Sequence, residues 1–305
     1  MQKWWMAALL AAAGLCQAAP AVVRSPYKYL PPWDPAQGVQ TWAFARGECG
    51  EERWGEQDGG QVAAGQVPRF AQAGVGYIVS TGGQGNVFTC ASDAGMEAFV
   101  SRYKSPQLIG FDFDIEHGQS EAQIDELVQR IALVQKQHPH WRFSFTLATH
   151  AASDGSRRSL NATGEQVLAA LRKHGVQDYV LNLMVMDYGP ASRKACVVRA
   201  GRCDMGASAA QAARNVHEKY GVPFAQIALT PMIGVNDVVQ NVFTLADART
   251  TAAAVRKLGL AGLHYWSLGR DKPCASAVRG AQADCSTMPG VAAGAYQRAL
   301  VEEAR

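Results

Sequence analysis

The sequence predicts an α/β protein folded as a single (β/α)8 TIM barrel. Short apolar runs alternate along the chain with longer amphipathic segments, a pattern typical of repeated βα units with parallel strands and right-handed crossovers. The chain has 305 residues, and such a barrel typically needs roughly 250. No linker rich in Pro, Ser or Gly and no internal repeat divides the sequence, so one domain is favoured over two. Eight units would close a barrel, whereas about six would form an open sheet.

The apolar and amphipathic segments give the following predicted elements. Strands are predicted over residues 27–30, 40–45, 76–81, 108–114, 142–147, 179–186, 226–229 and 262–267. Helices are predicted over residues 60–73, 93–103, 121–137, 163–174, 208–220, 245–258 and 291–304. Thr163 with Gln166 resembles a capping box at the start of one helix. Three glycines stand where glycines commonly end helices, namely Gly175, Gly221 and Gly259.

The composition is that of an ordinary globular protein and gives little sign of a charged partner. Hydrophobic residues make up 48% of the chain, charged residues 18%, and the formal net charge is only +3. There is no long run of Lys and Arg, so a nucleic-acid partner is not expected. A neutral polysaccharide would suit such a surface.

The N-terminus reads as an export signal. Lys3 precedes an apolar run over residues 6–15 that is too short to span a bilayer. Cys16-Gln17-Ala18 forms a small-x-small cleavage site. We therefore expect residues 1–18 to be removed and residues 19–305 to form the catalytic domain of a secreted or periplasmic protein, with no membrane association after cleavage. The alternative is lipidation at Cys16, which Leu15 disfavours.

Cysteine usage agrees with export. Six cysteines remain after the signal, and an even number in an exported protein suggests disulfides. Six cysteines allow 15 pairings, among which we expect Cys49–Cys90, Cys196–Cys203 and Cys274–Cys285. A zinc site is the competing interpretation, but no CxxC pair is present and the histidines are scattered.

The most informative segment is the predicted strand Leu108–Asp114 and the residues that follow it. Because side chains alternate across a strand, Asp112, Asp114 and Glu116 share one face, while the apolar residues between them share the other. Carboxylates on a buried face cost several kcal/mol or shift their pKa, so stability alone rarely explains such a cluster. A hard cation such as Ca2+ and a solvated edge strand are the alternatives.

The same spacing suits acid catalysis. Residues on one face of a strand lie roughly 6.5–7 Å apart, and neighbouring negative charge together with partial burial raises a carboxyl pKa. Glu116, at the C-terminal end, would reach the cleft and could protonate a glycosidic oxygen. Asp114 would hold a shared proton or accept a hydrogen bond.

At this segment the sequence resembles the family 18 glycoside hydrolases, whose signature DGxDxDxE ends the fourth barrel strand. The chain reads Ile109-Gly-Phe-Asp-Phe-Asp-Ile-Glu116, and only the first Asp departs, replaced by Ile109. The resemblance implies a (β/α)8 fold, with Glu116, Asp114 and Asp112 as candidate catalytic residues. Ser80-Thr-Gly82-Gly83 matches the SxGG motif of the third strand, which places both glycines beside the substrate.

The predicted sixth strand ends in Met184-Val-Met-Asp187-Tyr188-Gly, which resembles the MxMDYG variant of one bacterial chitinase subgroup. In a regular strand Met184, Met186 and Tyr188 share one face and Asp187 lies on the other. The tyrosine that binds the acetamido oxygen in this family aligns with Met186. Met184, Asp187 and Tyr188 are candidate substrate-binding residues. Tyr188 takes the role of the family tyrosine only if the backbone bends here, and core packing is the alternative for the two methionines.

Two further segments resemble the family. Trp266, at the end of the predicted eighth strand, would form the floor under the reacting sugar, because an aromatic face suits the CH side of a pyranose. After strand seven we expect Met232 and Asn236 to line the cleft. The other tryptophans outside the signal could stack on sugars, although most tryptophans are buried; they are Trp33, Trp42, Trp54 and Trp141.

The resemblance implies substrate-assisted retaining hydrolysis of β-1,4 bonds between N-acetylglucosamine units, in chitin or chito-oligosaccharides, without a cofactor or metal ion. We expect a monomer. The alternatives are an endo-β-N-acetylglucosaminidase acting on N-glycans, a chitin-binding lectin, which Glu116 disfavours, and a metal-dependent hydrolase, which EDTA would inhibit. Four histidines receive no role, namely His117, His138, His140 and His150. The sequon at Asn161 is expected to be unused.

Overall fold

The computed structural model describes residues 22–302, and the expected signal at residues 1–18 lies outside them. Eight parallel strands form the central sheet when its two short N-terminal segments are counted as one strand. We number them β1 (Val23–Arg24 and Tyr27–Tyr29), β2 (Gln40–Ala45), β3 (Tyr77–Gly82), β4 (Leu108–Asp114), β5 (Arg142–Ala148), β6 (Val180–Met184), β7 (Ile227–Thr230) and β8 (Gly262–Leu263).

Strand β1 closes the sheet into a barrel. Its first segment pairs with β8 and its second with β2. Tyr27 joins the two edges directly: its backbone N–H donates to the carbonyl of Tyr265 at 3.0 Å, and it stands opposite Thr41 of β2. All other neighbours in the sheet follow chain order. The predicted α/β barrel is therefore confirmed.

Helices follow the strands on the outside of the barrel. They are α1 (Gly59–Ala73), α2 (Asp93–Arg102), α3 (Glu121–Gln137), α4 (Ala162–Lys173), α5 (Met205–Tyr220), α6 (Leu245–Leu258) and a last segment, α7 (Ala295–Gln297), which continues as a π-helical turn over Arg298–Glu302. A short 3-10 turn at Pro35–Gln37 takes the place of a helix between β1 and β2. Gly221 and Gly259 end their helices in the left-handed conformation, as predicted.

Several predicted boundaries were wrong. Helix α4 begins one residue earlier than predicted, and its N-cap is Asn161, whose side-chain oxygen accepts from the backbone N–H of Gly164 at 2.8 Å. Thr163 lies inside the first turn and is not the cap. Strand β6 stops at Met184 and β8 at Leu263, because the backbone leaves the ladder where the loops of the cavity begin.

The main hydrophobic core lies between the barrel and its helices, and it contains the tryptophans that were considered for sugar stacking. Trp33 and Trp42 stack with ring centroids 4.5 Å apart, and Trp54 packs edge-on against Trp33. All three are buried, and so is Trp141. None of the four is available to a sugar.

The three expected disulfides are present: Cys49–Cys90, Cys196–Cys203 and Cys274–Cys285. The first joins the loops that follow β2 and β3, and the other two each close a short loop. Among the helices of residues 22–302, none has the length and apolar character needed to span a membrane.

Candidate active site

A cavity of about 380 Å3 opens at the C-terminal ends of the barrel strands. Residues from every strand end or the loop after it contribute to its wall, as expected for a barrel active site. The lining residues are Tyr27, Phe44, Gln84, Asp114, Glu116, Thr146, Ala148, Thr149, His150, Asn161, Met184, Met186, Asp187, Thr230, Met232, Asp237, Val238 and Trp266.

The acidic residues of β4 run along the barrel interior up to this cavity. Asp112 is buried below the cavity, Asp114 is buried at its base, and Glu116 lies just beyond the end of the strand in the cavity wall. The apolar residues that alternate with them are buried on the other side of the strand, among them Phe111 and Phe113. The alternation predicted from the sequence therefore places the three carboxyls on the inward side. We call Asp112, Asp114 and Glu116 the carboxyl ladder.

Four hydroxyl groups surround the carboxylate of Asp112. Oδ2 accepts from Tyr27 Oη at 2.8 Å and from Ser80 Oγ at 2.6 Å. Oδ1 accepts from Ser144 Oγ at 2.6 Å and from Thr146 Oγ1 at 2.8 Å. Burial raises the pKa of Asp112, while these hydrogen bonds oppose the rise. Four donors match the acceptor capacity of an ionised carboxylate.

The register of the sheet places these donors. Ser80 of β3 and Ser144 of β5 stand on either side of Asp112 in the parallel ladder. Thr146 stands beside Asp114 and so reaches down to Asp112. The serine of the SxGG motif therefore holds the lowest carboxylate of the ladder.

Asp114 and Glu116 are the two carboxyls of the ladder that line the cavity. Burial raises the pKa of Asp114 well above its usual range, and the negative charges of Glu116 and Asp112 raise it further. Among the described residues, Asp114 Oδ1 has no hydrogen-bond partner. Burial also raises the pKa of Glu116; the charge of His117 opposes this rise, and the charges of Asp187 and Asp237 add to it. Because each negative charge disfavours the next, the pair holds a proton to higher pH than isolated carboxyls would.

The loop after β6 departs from the predicted alternation. Asp187 has a backbone φ of +49°, which turns the chain away from the strand path. Met184, Met186 and Asp187 line the cavity together, whereas Tyr188 turns into the hydrophobic core. Burial raises the pKa of Tyr188, and its hydroxyl has no partner among the described residues. The expected substrate contact of Tyr188 is therefore wrong in this geometry, because the bend carries its ring inward.

Asn236 holds the loops of the cavity without lining it. It is fully buried, its Nδ2 donates to the carbonyl of Met232 at 2.8 Å, and its Oδ1 accepts from the backbone N–H of Asp187 at 3.3 Å. Asp187 Oδ1 accepts in turn from the backbone N–H of Val238 at 2.7 Å. The predicted cleft position is correct for Met232, but Asn236 acts through the backbone around it.

Aromatic side chains form another part of the cavity wall, namely Trp266 and Phe44. Trp266 stacks against Phe44 with ring centroids 5.5 Å apart and an interplanar angle of 14°.

Gly82 and Gly83 stand close by but do not line the cavity. A Cβ on Gly82 would lie 2.1 Å from the carbonyl oxygen of Asp114, and one on Gly83 would lie 2.6 Å from the Phe44 ring. The two glycines let β3 approach β4 and Phe44.

Sequence reasoning missed part of the cavity. His150, Asn161 and Asp237 line it although no role was predicted for them. Burial and the charge of Arg158 lower the pKa of His150, and its Nδ1 is buried without a partner among the described residues. His150 lies two residues beyond the end of β5, so a search for polar residues just after each predicted strand would have found it. Asp237 lies seven residues beyond β7 and would not have been found in this way.

The cavity carboxylates do not form a metal-ligand set. Within residues 22–302, three ligand atoms converge only at Glu48, Cys49 and Cys90. Both of those sulfurs belong to a disulfide, which leaves Glu48 as a single ligand.

The fold and the cavity together define a class of protein. They form a (β/α)8 barrel with a carboxylic acid at its mouth and an aromatic wall, as in barrel glycoside hydrolases.

Comparisons with known proteins agree with this class. The chain is 28% identical over 258 residues to a probable bifunctional chitinase/lysozyme of Escherichia coli, covering 80% of this chain and 26% of that protein. It is 30% identical over 223 residues to endochitinase 11 of Metarhizium anisopliae, covering 69% of this chain and 42% of that protein.

The catalytic domain of a hyperthermophilic chitinase from Pyrococcus furiosus has the same fold. It superposes with a TM-score of 0.72 at 23% identity, covering 94% of this chain and 97% of that one. No protein-family model matches the chain. The chain spans about a quarter and two fifths of the two curated relatives. These similarities to chitinases indicate a glycoside hydrolase.

Proposed function

We propose that this protein is a chitinase that hydrolyses β-1,4 bonds between N-acetylglucosamine units with retention, by substrate-assisted catalysis. The observation that carries the proposal is the carboxyl ladder, which rises from a fully hydrogen-bonded Asp112 to Glu116 in the cavity wall. The names of the two curated relatives support chitin as the substrate. The MxMDYG motif supports membership of the corresponding bacterial subgroup.

The reaction begins with proton transfer from Glu116 to the glycosidic oxygen. As the bond from that oxygen to the anomeric carbon breaks, the carbonyl oxygen of the sugar's 2-acetamido group forms a bond to the same carbon. Asp114, ionised when the shared proton resides on Glu116, accepts a hydrogen bond from the acetamido N–H and stabilises the positive oxazolinium ion. Water then attacks the anomeric carbon, gives its proton to Glu116 and opens the ring with retention.

The proposed mechanism uses the sugar's own amide as the nucleophile. Ordinary retaining enzymes use a second carboxylate for this attack. In the proposed mechanism Asp114 stabilises the charge that develops on the sugar's own amide and does not attack the anomeric carbon itself. The substrate must therefore carry an N-acetyl group, and Trp266 offers the aromatic face for that sugar.

Export is proposed on separate grounds. Residues 1–18 have the composition of a cleavable signal, and the three disulfides suit an oxidising compartment. We propose a secreted or periplasmic monomer whose partners are chitin and chito-oligosaccharides.

The test is the release of oligosaccharides from colloidal chitin by the wild type and by Glu116→Gln. Loss of the general acid should lower the rate at least about 100-fold, or about 2.7 kcal/mol of transition-state stabilisation. Glu97→Gln, an exposed carboxyl on α2, is the matched control and should match the wild type. Equal activity of wild type and Glu116→Gln would remove Glu116 from the mechanism.

Two further measurements separate the alternatives. Cleavage of the N-glycans of ovalbumin without cleavage of chito-oligosaccharides would indicate an endo-β-N-acetylglucosaminidase instead. Inhibition by EDTA would indicate a metal-dependent hydrolase, because the proposed chemistry uses no metal ion.

A further inference from the structure

A buried cation lies below the carboxyl ladder. Arg142 begins β5 and stands beside Gly110, two residues before the pair of Ser144 and Asp112. Since Ser144 and Thr146 face the barrel interior, alternation directs Arg142 to the interior as well. From strand geometry the Cα atoms of Arg142 and Asp112 are roughly 8 Å apart, because Arg142 lies one strand across and two residues nearer the N-terminal end of the barrel.

The guanidinium of Arg142 has few partners. Nη1 donates to the carbonyl of Ala261 at 3.4 Å, whereas Nε and Nη2 are buried without a partner among the described residues. No carboxylate within residues 22–302 lies close enough to form an ion pair with it. A buried charge without a contacting partner is costly. Asp112 therefore acts as its counter-charge through space.

Arg142 stays charged, and the histidine beside it does not. Burial lowers the pKa of Arg142 to about 10, with Asp112 and Tyr27 opposing the fall. Burial and the charge of Arg142 lower the pKa of His264 to about 3. Both side chains lie against Gly262, where a Cβ would be 2.9 Å from Arg142 Nη2 and 2.8 Å from His264 Nε2. At neutral pH Arg142 is therefore charged and His264 is neutral.

Around Asp112 burial raises the pKa of the carboxyl and the hydroxyl donors oppose the rise, while the charge of Asp112 raises the pKa of Arg142 on the barrel floor. Among the groups that face this carboxylate, the Tyr27 hydroxyl comes from β1, the Asp114 carboxyl from β4 and Arg142 itself from β5; the remaining donors are the uncharged hydroxyls already described. The four donors around Asp112 fit an ionised carboxylate, whereas a protonated one would bring a fifth hydrogen among them. A proton that resides on Asp112 is also not available to Asp114 and Glu116 above it.

We propose that Arg142 is a positioning residue for the reaction: from the floor of the barrel it holds Asp112 ionised, so that the ladder's proton stays on Asp114 and Glu116. The inference rests on the proposed function. It assigns to Arg142 no contact with the substrate and no proton transfer of its own. Its effect is electrostatic and acts along the barrel axis.

The test is the pH profile of kcat/KM for chito-oligosaccharides in Arg142→Met. Without the cation, Asp112 takes up a proton more readily, so the acid limb should move to higher pH by about one unit. The alkaline limb, which follows deprotonation of Glu116, should move less because Glu116 lies farther from Arg142. Arg142→Lys keeps the charge and should restore the wild-type profile.

Arg102→Met is the matched control. Arg102 is a partly buried arginine paired with Glu52 at the end of α2, outside the barrel interior, so its loss should lower stability without shifting either limb. An unshifted acid limb in folded Arg142→Met would overturn the inference while leaving the proposed function intact. A wild type inactive on every N-acetylated substrate would overturn the proposed function itself.

A measurement on the wild type covers the case in which Arg142→Met does not fold. With 13C-labelled aspartate, the carboxyl resonance of Asp112, assigned by its loss in Asp112→Asn, should report an ionised group throughout the active pH range. A proton on Asp112 within that range would overturn the inference.

Discussion

Replacing Gly82 by alanine tests whether the close approach of β3 and β4 positions the carboxyl ladder. Gly82 stands beside Asp114 in the sheet and has a backbone φ of +79°. A Cβ would lie 2.1 Å from the carbonyl oxygen of Asp114, whereas real Cβ atoms essentially never come within 3.0 Å. The two strand ends must therefore separate by roughly 1 Å, the size of misplacement that can cost about 100-fold in rate. Left-handed strain and overpacking together should lower the free energy of unfolding by about 2–5 kcal/mol.

Gly85→Ala is the matched control for this change. Gly85 has a similar φ of +74° but open space where its Cβ would be, so it should lose only about 1–2 kcal/mol of stability and keep its activity. Urea unfolding measures the stability of both variants, and hydrolysis of chito-oligosaccharides measures kcat/KM. If folded Gly82→Ala hydrolyses them at a rate close to that of Gly85→Ala, the contact with Asp114 does not position the ladder and the reasoning fails.

Three further predictions concern stability and the loops of the cavity. Burial raises the pKa of Glu116 above its unfolded value of 4.5, so the wild type loses stability as pH rises through the raised value. Glu116→Gln does not titrate at this position, so its stability should rise relative to that of the wild type over the same pH range. A difference in the free energy of unfolding between the two proteins that stays constant with pH, measured by urea unfolding, would contradict this. Removing the Cys49–Cys90 disulfide, whose cysteines are 41 residues apart, should lower the free energy of unfolding by about 4 kcal/mol. The loop-entropy reasoning would be refuted if this loss were smaller than the loss on removing Cys196–Cys203, whose cysteines are 7 residues apart. Asn236→Ala removes a buried anchor of the Asp187 backbone and should cost about 1–3 kcal/mol together with activity on chito-oligosaccharides, whereas unchanged kinetics would show that this anchor is not needed.

The sequence predicted the features that depend on residues close together in the chain. The alternation in Leu108–Asp114 is local, so it gave both the strand and the common face of its carboxyls. Two of the disulfides join cysteines 7 and 11 residues apart, which makes their pairing easy to expect. Helices α3 and α6 begin and end where their amphipathic patterns do.

The same local reasoning failed where the backbone leaves regular structure. Alternation placed Tyr188 and Met186 on one face, but the positive φ of Asp187 breaks the period and sends Tyr188 into the core. Side-chain periodicity carries no information about a single left-handed residue that is not glycine. The N-cap of α4 was misplaced for a related reason, because Asn161 and Thr163 are both acceptable cap residues.

By itself, then, the sequence determined the line of carboxyls on β4, because side chains alternate along one segment, and the barrel class, because strand and helix patterns alternate along the whole chain. The disulfide pairs were expected but were one choice among the 15 possible pairings. Only the tertiary structure decided the environment of those carboxyls. The donors to Asp112 come from three other strands, 32 to 85 residues away in the chain, and Arg142 lies below it across the barrel floor. Charge acts through space, so besides burial and the neighbouring His117, the pKa of Glu116 depends on Asp187 and Asp237, whose proximity only the closed barrel creates.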